Sequence, residues 1–184
     1  MVDKGYASVT SRRVAAAVGI NPGLVHYYFP TLDDLFIAVF RRGAEKNLER
    51  MAGALASPTP LLSLWRWSSD PRGVALFVEL TTAANHREAL RADVTRIAER
   101  ARRMQIEAVR ELLPQYGLDQ KAFPPALVAA AIQGIALLVV REQALGISTE
   151  HREAAAAVEA LLEELEERRA RGARRPPPRR RRRS

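Results

Sequence analysis

The local turn chemistry of residues 10–31 constrains the fold of this chain more than any other feature. Thr10 is a preferred N-cap, and apolar residues then recur with helical spacing. Gly19 follows where a helix C-terminus needs a residue that tolerates a positive φ. Asn21 then caps a second helix that begins at Pro22. Two helices joined by a short turn that contains Gly predict a helix-turn-helix.

The second helix carries residue types that suit contact with nucleic acid. Its N-terminal end, which reaches base edges in this motif, holds small or apolar residues: Pro22, Gly23 and Leu24. Polar-tipped rings that can donate hydrogen bonds to phosphate oxygens follow: His26, Tyr27 and Tyr28. Pro30 ends the helix, and Thr31 with Asp34 predicts a capping box at the start of the next one.

The order, spacing and caps of residues 5–35 resemble the DNA-binding domain of the TetR family of transcriptional repressors. The resemblance includes the Gly5-Tyr6 pair and the aromatic cluster that ends at Phe29. It implies an all-helical homodimer whose N-terminal domains bind a palindromic operator in double-stranded DNA. It also implies a larger C-terminal domain that dimerises and receives a small-molecule effector, and it favours a bacterial repressor that the effector releases from DNA.

We therefore predict an all-α fold with two domains and a tail. Residues 1–50 form a TetR-type DNA-binding domain, with the helix-turn-helix at about 10–29, and residues 51–170 form a helical regulatory and dimerisation domain. Residues 171–184 are rich in Arg and Pro and carry one sign of charge, so we expect them to be disordered.

The predicted DNA contacts fall into three groups. At the start of the first helix they are Thr10, Ser11 and Arg12. At the base edges they are Asn21, Pro22, Gly23 and Leu24, and on the DNA backbone they are His26, Tyr27, Tyr28 and Thr31. A set of apolar residues is predicted to hold the unit together without contacting DNA: Val14, Val18, Ile20, Val25 and Phe29.

Two departures from the family pattern leave an alternative function open. The family has a full helix before the Gly-Tyr pair, whereas only residues 1–4 precede Gly5 here, and we expect the true start to lie upstream of Met1. Leu32 stands where the family tends to have a phosphate-contacting Lys. The alternative is a helical dimerisation protein that lacks sequence-specific DNA binding because the first helix is absent.

The C-terminal helices supply the dimerisation and effector predictions. Residues 73–84 are apolar nearly all round, which predicts a buried helix. The last two helices, near residues 126–145 and 149–171, resemble the pair that forms the family's dimer interface, although both could instead be intramolecular core. Aromatic, soft or polar residues on apolar faces are the effector-site candidates: Trp65, Phe77, Leu80, Thr81, His86, Met104 and Gln133. Because these faces lack charged groups, the expected effector is largely apolar.

The motifs of other protein classes are missing from the sequence. It has no Walker loop, nucleophile elbow or dinucleotide-binding glycine motif, and its three histidines have no metal-ligand spacing, so we expect no enzyme, cofactor or metal site. It has no cysteine, no run of eighteen uncharged apolar residues and no signal peptide. We expect a cytoplasmic protein without a membrane span.

The net charge of +8 comes from the C-terminal tail. Ten of the 29 Lys and Arg residues follow Glu167, and the 19 that remain are outnumbered by 21 acidic residues. The prediction of DNA binding therefore depends on the motif rather than on charge. The tail could add sequence-independent phosphate contacts or be a solvated segment without a role.

Overall fold

A computed structural model describes residues 10–85 and 87–173, without the side chains of Leu80, Ala89 and Ala173. These residues form eight α-helices and no strand. In chain order the helices are α1 (Ser11–Val18), α2 (Pro22–Tyr28), α3 (Leu32–Leu55), α4 (Pro60–Ser68), α5 (Pro71–Ala84), α6 (Glu88–Leu112), α7 (Pro125–Ala144) and α8 (His151–Ala173). A short 3₁₀ helix, Leu113–Tyr116, follows α6. The predicted all-α fold class is confirmed.

The first two helices and the start of α3 form a small unit, which we call the head. Its core consists of buried Ala15, Val25 and Leu35, with three half-buried residues packed around them: Val14, Phe29 and Leu32. Helices α1 and α2 pack chiefly on each other. The head therefore has a hydrophobic core of its own, separate from that of the rest of the chain.

The body of the protein surrounds the second half of α3. This helix has 24 residues, and its buried positions after Phe36 are Ala44, Leu48, Met51 and Leu55. They join a large core with residues of α4, α6, α7 and α8, among them Leu61, Leu64, Trp65, Val109 and Leu162. Helix α3 is therefore a continuous element that belongs to the head at one end and to the body at the other.

A buried carboxylate ties the last helix to the beginning of the body. The Oε1 atom of Glu166 on α8 accepts hydrogen bonds from the backbone N–H of Leu61 at 2.9 Å and from the Tyr116 hydroxyl at 2.9 Å. Its Oε2 atom accepts from the Arg169 Nε atom at 3.2 Å. Because the Thr59 side chain makes no capping bond, Glu166 takes over the cap of α4. Burial and this hydrogen bond raise the pKa of Tyr116, so its hydroxyl remains a donor.

Two predictions about packing were wrong. Val18 and Ile20 were expected to hold the helix-turn-helix together, but their side chains are 64% and 41% exposed because no described element packs on that side of the head. The helix at residues 73–84 was expected to be buried. Helix α5 packs on α6 through Val74, Ala83 and Ala84, whereas Leu76 and Phe77 face outward because no described helix covers that side.

The end of α8 and the apolar character of α7 also bear on the sequence predictions. Helix α8 extends to Ala173, so the first three residues of the predicted tail are helical, and residues 174–184 lie outside the described residues. Within the described residues, α7 alone is long and apolar enough to cross a membrane, by length and composition only. Its inner side packs in the body through Ala129, Ile132 and Ala136.

The Glu166 contacts predict a large loss of stability on substitution. Glu166→Ala should lower the free energy of unfolding by about 3–5 kcal/mol, because it leaves a buried helix N-terminus and Arg169 without their acceptor. Glu167→Ala is the matched control, since that side chain is 71% exposed and its ion pair with Arg171 is long, at 3.8 Å. Urea unfolding followed by circular dichroism measures both variants, and equal stabilities would contradict the role of Glu166.

Candidate DNA interface

The first helix of the head is fixed at both ends by the predicted caps. The Thr10 hydroxyl oxygen accepts from the backbone N–H of Arg13 at 3.2 Å. At the other end Gly19 has a φ of 69°, and the Ile20 N–H donates to the Ala15 carbonyl at 3.0 Å. The left-handed residue turns the chain sharply, so that α2 can begin three residues later.

The second helix begins with a tight side-chain cap. The Asn21 Oδ1 atom accepts from the backbone N–H of Gly23 at 2.7 Å, and Pro22 occupies the first turn. A Cβ atom at Gly23 would lie 3.2 Å from Asn21 Oδ1. Gly23 therefore has a local structural reason for its small size, in addition to its predicted place at a base edge.

Most of α2 points away from the protein. Val25 is its one buried residue, whereas Leu24, His26, Tyr27 and Tyr28 are exposed. The Tyr27 and Tyr28 rings meet edge to face with centroids 5.1 Å apart, and Tyr27 is 78% exposed. A helix that displays aromatic and apolar side chains without packing them presents a surface for a partner.

The structure brings all eleven predicted DNA contacts together on the head. Ten of them are exposed and Ser11 is half-buried. Thr31 differs from the others, because its hydroxyl hydrogen is donated to the Asp34 carboxylate at 2.7 Å within a complete capping box. Its side chain serves the start of α3 and has no hydroxyl hydrogen left for a phosphate oxygen.

The positions of the charged residues in the head, more than its net charge, favour an anionic partner. Neither α1 nor α2 has an acidic residue in its first turn, and Arg12 is exposed beside the N-terminus of α1. Asp33 pairs with Arg87 at 2.8 Å, and Asp34 serves the capping box. Within the described part of the head, both acidic side chains are therefore engaged in contacts of their own.

The comparison with known families agrees with this geometry. Residues 1–39 match the sequence model of the bacterial regulatory proteins of the tetR family. Residues 1–39 are therefore similar to the N-terminal DNA-binding region of the TetR family. This match indicates a DNA-binding transcriptional regulator. Comparison with curated proteins and with solved structures gave no match.

The effector-site candidates lie in different places. Trp65 is part of the main core and Phe77 is 48% exposed on α5. The Thr81 hydroxyl donates to the carbonyl of Phe77 within α5 at 2.9 Å, and Gln133 is half-buried on α7. His86 and the Leu80 side chain lie outside the described parts of the chain.

Of the effector-site candidates, Met104 lines one of two open surface depressions. Met104 lines a depression of about 430 Å³ together with Arg103, Ile106, Glu107 and Arg110. Another depression, of about 590 Å³, lies beside the 3₁₀ helix and Arg168, and it contains none of the candidates. The effector site therefore stays a prediction.

Sequence reasoning missed the ionic contacts between α3 and α6. The Arg41 guanidinium binds the Asp93 carboxylate at 2.9 Å, and Arg100 binds Glu45 at 2.8 Å. The partners are 52 and 55 residues apart in the chain. The alternating charges along α6 were a signal of ion pairing, but they did not identify α3 as the partner.

Gly19 lies in the turn between α1 and α2, and Gly43 lies inside α3. Substitution by Ala should have opposite effects on stability at these two exposed positions. Gly19→Ala should destabilise the protein by about 1 kcal/mol, because a side chain disfavours the left-handed conformation even though its Cβ would contact nothing within 4 Å. Gly43→Ala, inside α3 and equally free of contacts, should stabilise it by up to about 1 kcal/mol. Urea unfolding tests the pair, and shifts of the same sign would contradict the assignment of the turn.

Proposed function

We propose that this chain is a homodimeric transcriptional repressor of the TetR family that binds a palindromic operator and is released by a small, largely apolar effector. The observation that carries the proposal is the exposed face of α2, which follows a capped turn and displays Leu24, Tyr27 and Tyr28. In helix-turn-helix proteins the N-terminal part of this second helix contacts base edges in the major groove. Repressors of this kind act in the cytoplasm, which is the location we propose.

The outer faces of α7 and α8 support the homodimer. On α7, Leu127, Ala131, Gly134 and Leu138 recur at steps of three and four, and all are exposed. On α8, Ala157 and Leu161 are exposed. The residues of α7 form a stripe along the helix, and those of α8 form a shorter patch. Small and apolar residues in this pattern suit close packing against the same two helices of a second copy.

A two-fold dimer would place two heads in an arrangement that matches a palindromic operator. Each copy carries one head, so a dimer presents two α2 surfaces related by the same symmetry as a palindromic operator. An effector would act by changing the angle of α3, because α3 connects each head to the body. A change in that angle alters the separation of the two heads relative to successive major grooves.

The exposed apolar side of the head favours a second candidate function. Among the residues that the structure describes, Val18 and Ile20 face outward, and the buried core of the head consists of three residues. A head with so small a core could lack the rigidity that sequence-specific binding requires. The chain would then be a helical dimerisation protein without sequence-specific DNA binding.

Selection from random duplexes followed by salt-titrated binding tests the DNA-binding proposal. We expect the full chain to prefer a palindromic sequence, and a chain cut after Ala173 to keep that preference with a shallower salt dependence. Tyr27→Ala should weaken binding to every duplex by about fivefold, the equivalent of one hydrogen bond. Phe77→Ala is the control, because it removes an exposed aromatic ring from α5.

The same titration separates the two candidate functions. Binding that ignores sequence, depends steeply on salt and disappears with residues 174–184 would favour the second candidate. Sequence preference that survives the cut would exclude it, because the tail would then have no part in specificity.

Substitutions on the outer faces of α7 and α8 test the homodimer. Leu138→Glu and Leu161→Glu should each give monomers in sedimentation velocity, because a charge would enter the centre of an apolar interface. Both side chains are more than half exposed in the single chain, so the chain itself should still fold. Leu76→Glu on α5 is the control and should leave the dimer unchanged. Dimers of all three variants would contradict this interface.

A further inference from the structure

Three ion pairs connect α3, between Asp33 and Glu45, to α6 and the residue before it. Asp33 binds Arg87 at 2.8 Å, Arg41 binds Asp93 at 2.9 Å, and Glu45 binds Arg100 at 2.8 Å. The order of partners is the same along both helices, so the two segments run parallel. The pairs lie along the part of α3 that leaves the head and enters the body.

The middle pair differs from the other two in its burial and its geometry. The Asp93 side chain is 9% exposed, whereas those of Asp33 and Glu45 are 47% and 49% exposed. The Arg41 Nε atom lies 3.2 Å from each carboxylate oxygen, and its Nη2 atom lies 2.9 Å from Oδ2. Arg96 adds a hydrogen bond of 2.8 Å to Oδ1. A carboxylate held in a fork of this kind has a defined direction as well as a defined distance.

The charge of Asp93 persists at neutral pH. The hydrogen bond from Arg41 holds the pKa of this carboxyl below its ordinary value, against the opposing effect of burial. Because the folded-state pKa is lowered, the contribution to stability is present above the ordinary pKa of aspartate and is lost as the pH falls through the lowered value. Asp93 is therefore ionised under physiological conditions.

The pair of Arg41 and Asp93 lies between the core of the head and the main core. Arg41 lies on α3 between Leu35, in the head core, and Ala44, where the main core begins. Beside it, Ile37 and Phe40 pack against a small apolar cluster of Ala83, Ala84 and Leu90. Apolar contacts of this kind resist separation but allow sliding and rotation, whereas a bidentate ion pair restricts both.

We propose that Asp93 is a positioning residue for the DNA interface: its clamp on Arg41 and Arg96 sets the angle at which α3 carries the head away from the body. The consequence for DNA binding rests on the proposed function, whereas the consequence for the angle of the head does not. A shift of α6 would change the head angle through this pair. Without the pair, α3 keeps its apolar contacts through Ile37 and Phe40 but can adopt a wider range of orientations.

Distance measurements within one chain test the clamp without DNA. Because the chain has no cysteine, two introduced cysteines can be labelled selectively, at Ala17 on the head and at Arg152, whose side chain is 93% exposed. Pulsed electron resonance on the labelled chain, diluted into unlabelled chain, reports the distance between head and body. Asp93→Asn should broaden and shift this distribution. Glu99→Gln, which removes the same charge from an exposed pair within α6, should leave it unchanged.

A double-mutant cycle distinguishes the clamp from a general loss of stability. Arg41→Gln should broaden the distribution as Asp93→Asn does, and the double variant should broaden it no further, because each change removes the same contact. Arg41 is largely exposed, so its substitution leaves a folded chain even if Asp93→Asn does not. An unchanged distribution in the Arg41 variant would overturn the proposal.

The binding assay separates failure of the clamp from failure of the proposed function. On the duplex selected by the wild-type chain, Asp93→Asn and Arg41→Gln should each weaken binding about tenfold, within the usual range for coupled sites, while Glu99→Gln binds normally. Normal binding by both clamp variants, with unchanged distances, would overturn the clamp and leave the repressor proposal intact. Absence of sequence-specific binding by the wild-type chain would overturn the repressor proposal, and the distances alone would then decide the clamp.

Discussion

A single uninterrupted helix belongs to two separate hydrophobic cores, and the arrangement of the whole chain depends on it. Leu35 anchors α3 in the head, and Leu48 and Met51 anchor it in the body. Over 24 residues the helix is about 36 Å long, so a tilt of about 10° at one end displaces the other by about 6 Å. That displacement is a substantial fraction of one turn of DNA, about 34 Å. Small changes in packing around the body are therefore amplified at the head.

Two buried carboxylates give the body its defined geometry, and they do so in different ways. Glu166 replaces a missing helix cap and receives N–H groups of α4 that would otherwise be buried without an acceptor. Asp93 instead receives two guanidinium groups whose side chains are themselves 59% exposed. Loss of Glu166 leaves buried donors behind, whereas loss of Asp93 leaves cations that water can solvate. The contacts of Glu166 therefore chiefly stabilise the fold, whereas those of Asp93 chiefly set the orientation of α3.

The parts of the structure that sequence predicted are those whose causes are local. The caps at Thr10, Asn21 and Thr31 and the left-handed turn at Gly19 each involve residues at most five apart, so the sequence alone contains the whole interaction. Contacts between distant residues could not be predicted in this way. Glu166 and Leu61 are 105 residues apart, and no periodicity connects them. The burial of Val18 was mispredicted for the same reason, because helical spacing identifies an apolar face but not the element that covers it.

Different residues of α2 serve the folding of the head and the contact with a partner. Asn21, Gly23 and Val25 are occupied with the cap, the space beside it and the core. Leu24, Tyr27 and Tyr28 point outward and carry none of these duties. Mutations can therefore accumulate at the outward positions without loss of the fold. Such a helix is well suited to divergence, because duplicated copies of the chain could acquire new recognition surfaces on an unchanged scaffold.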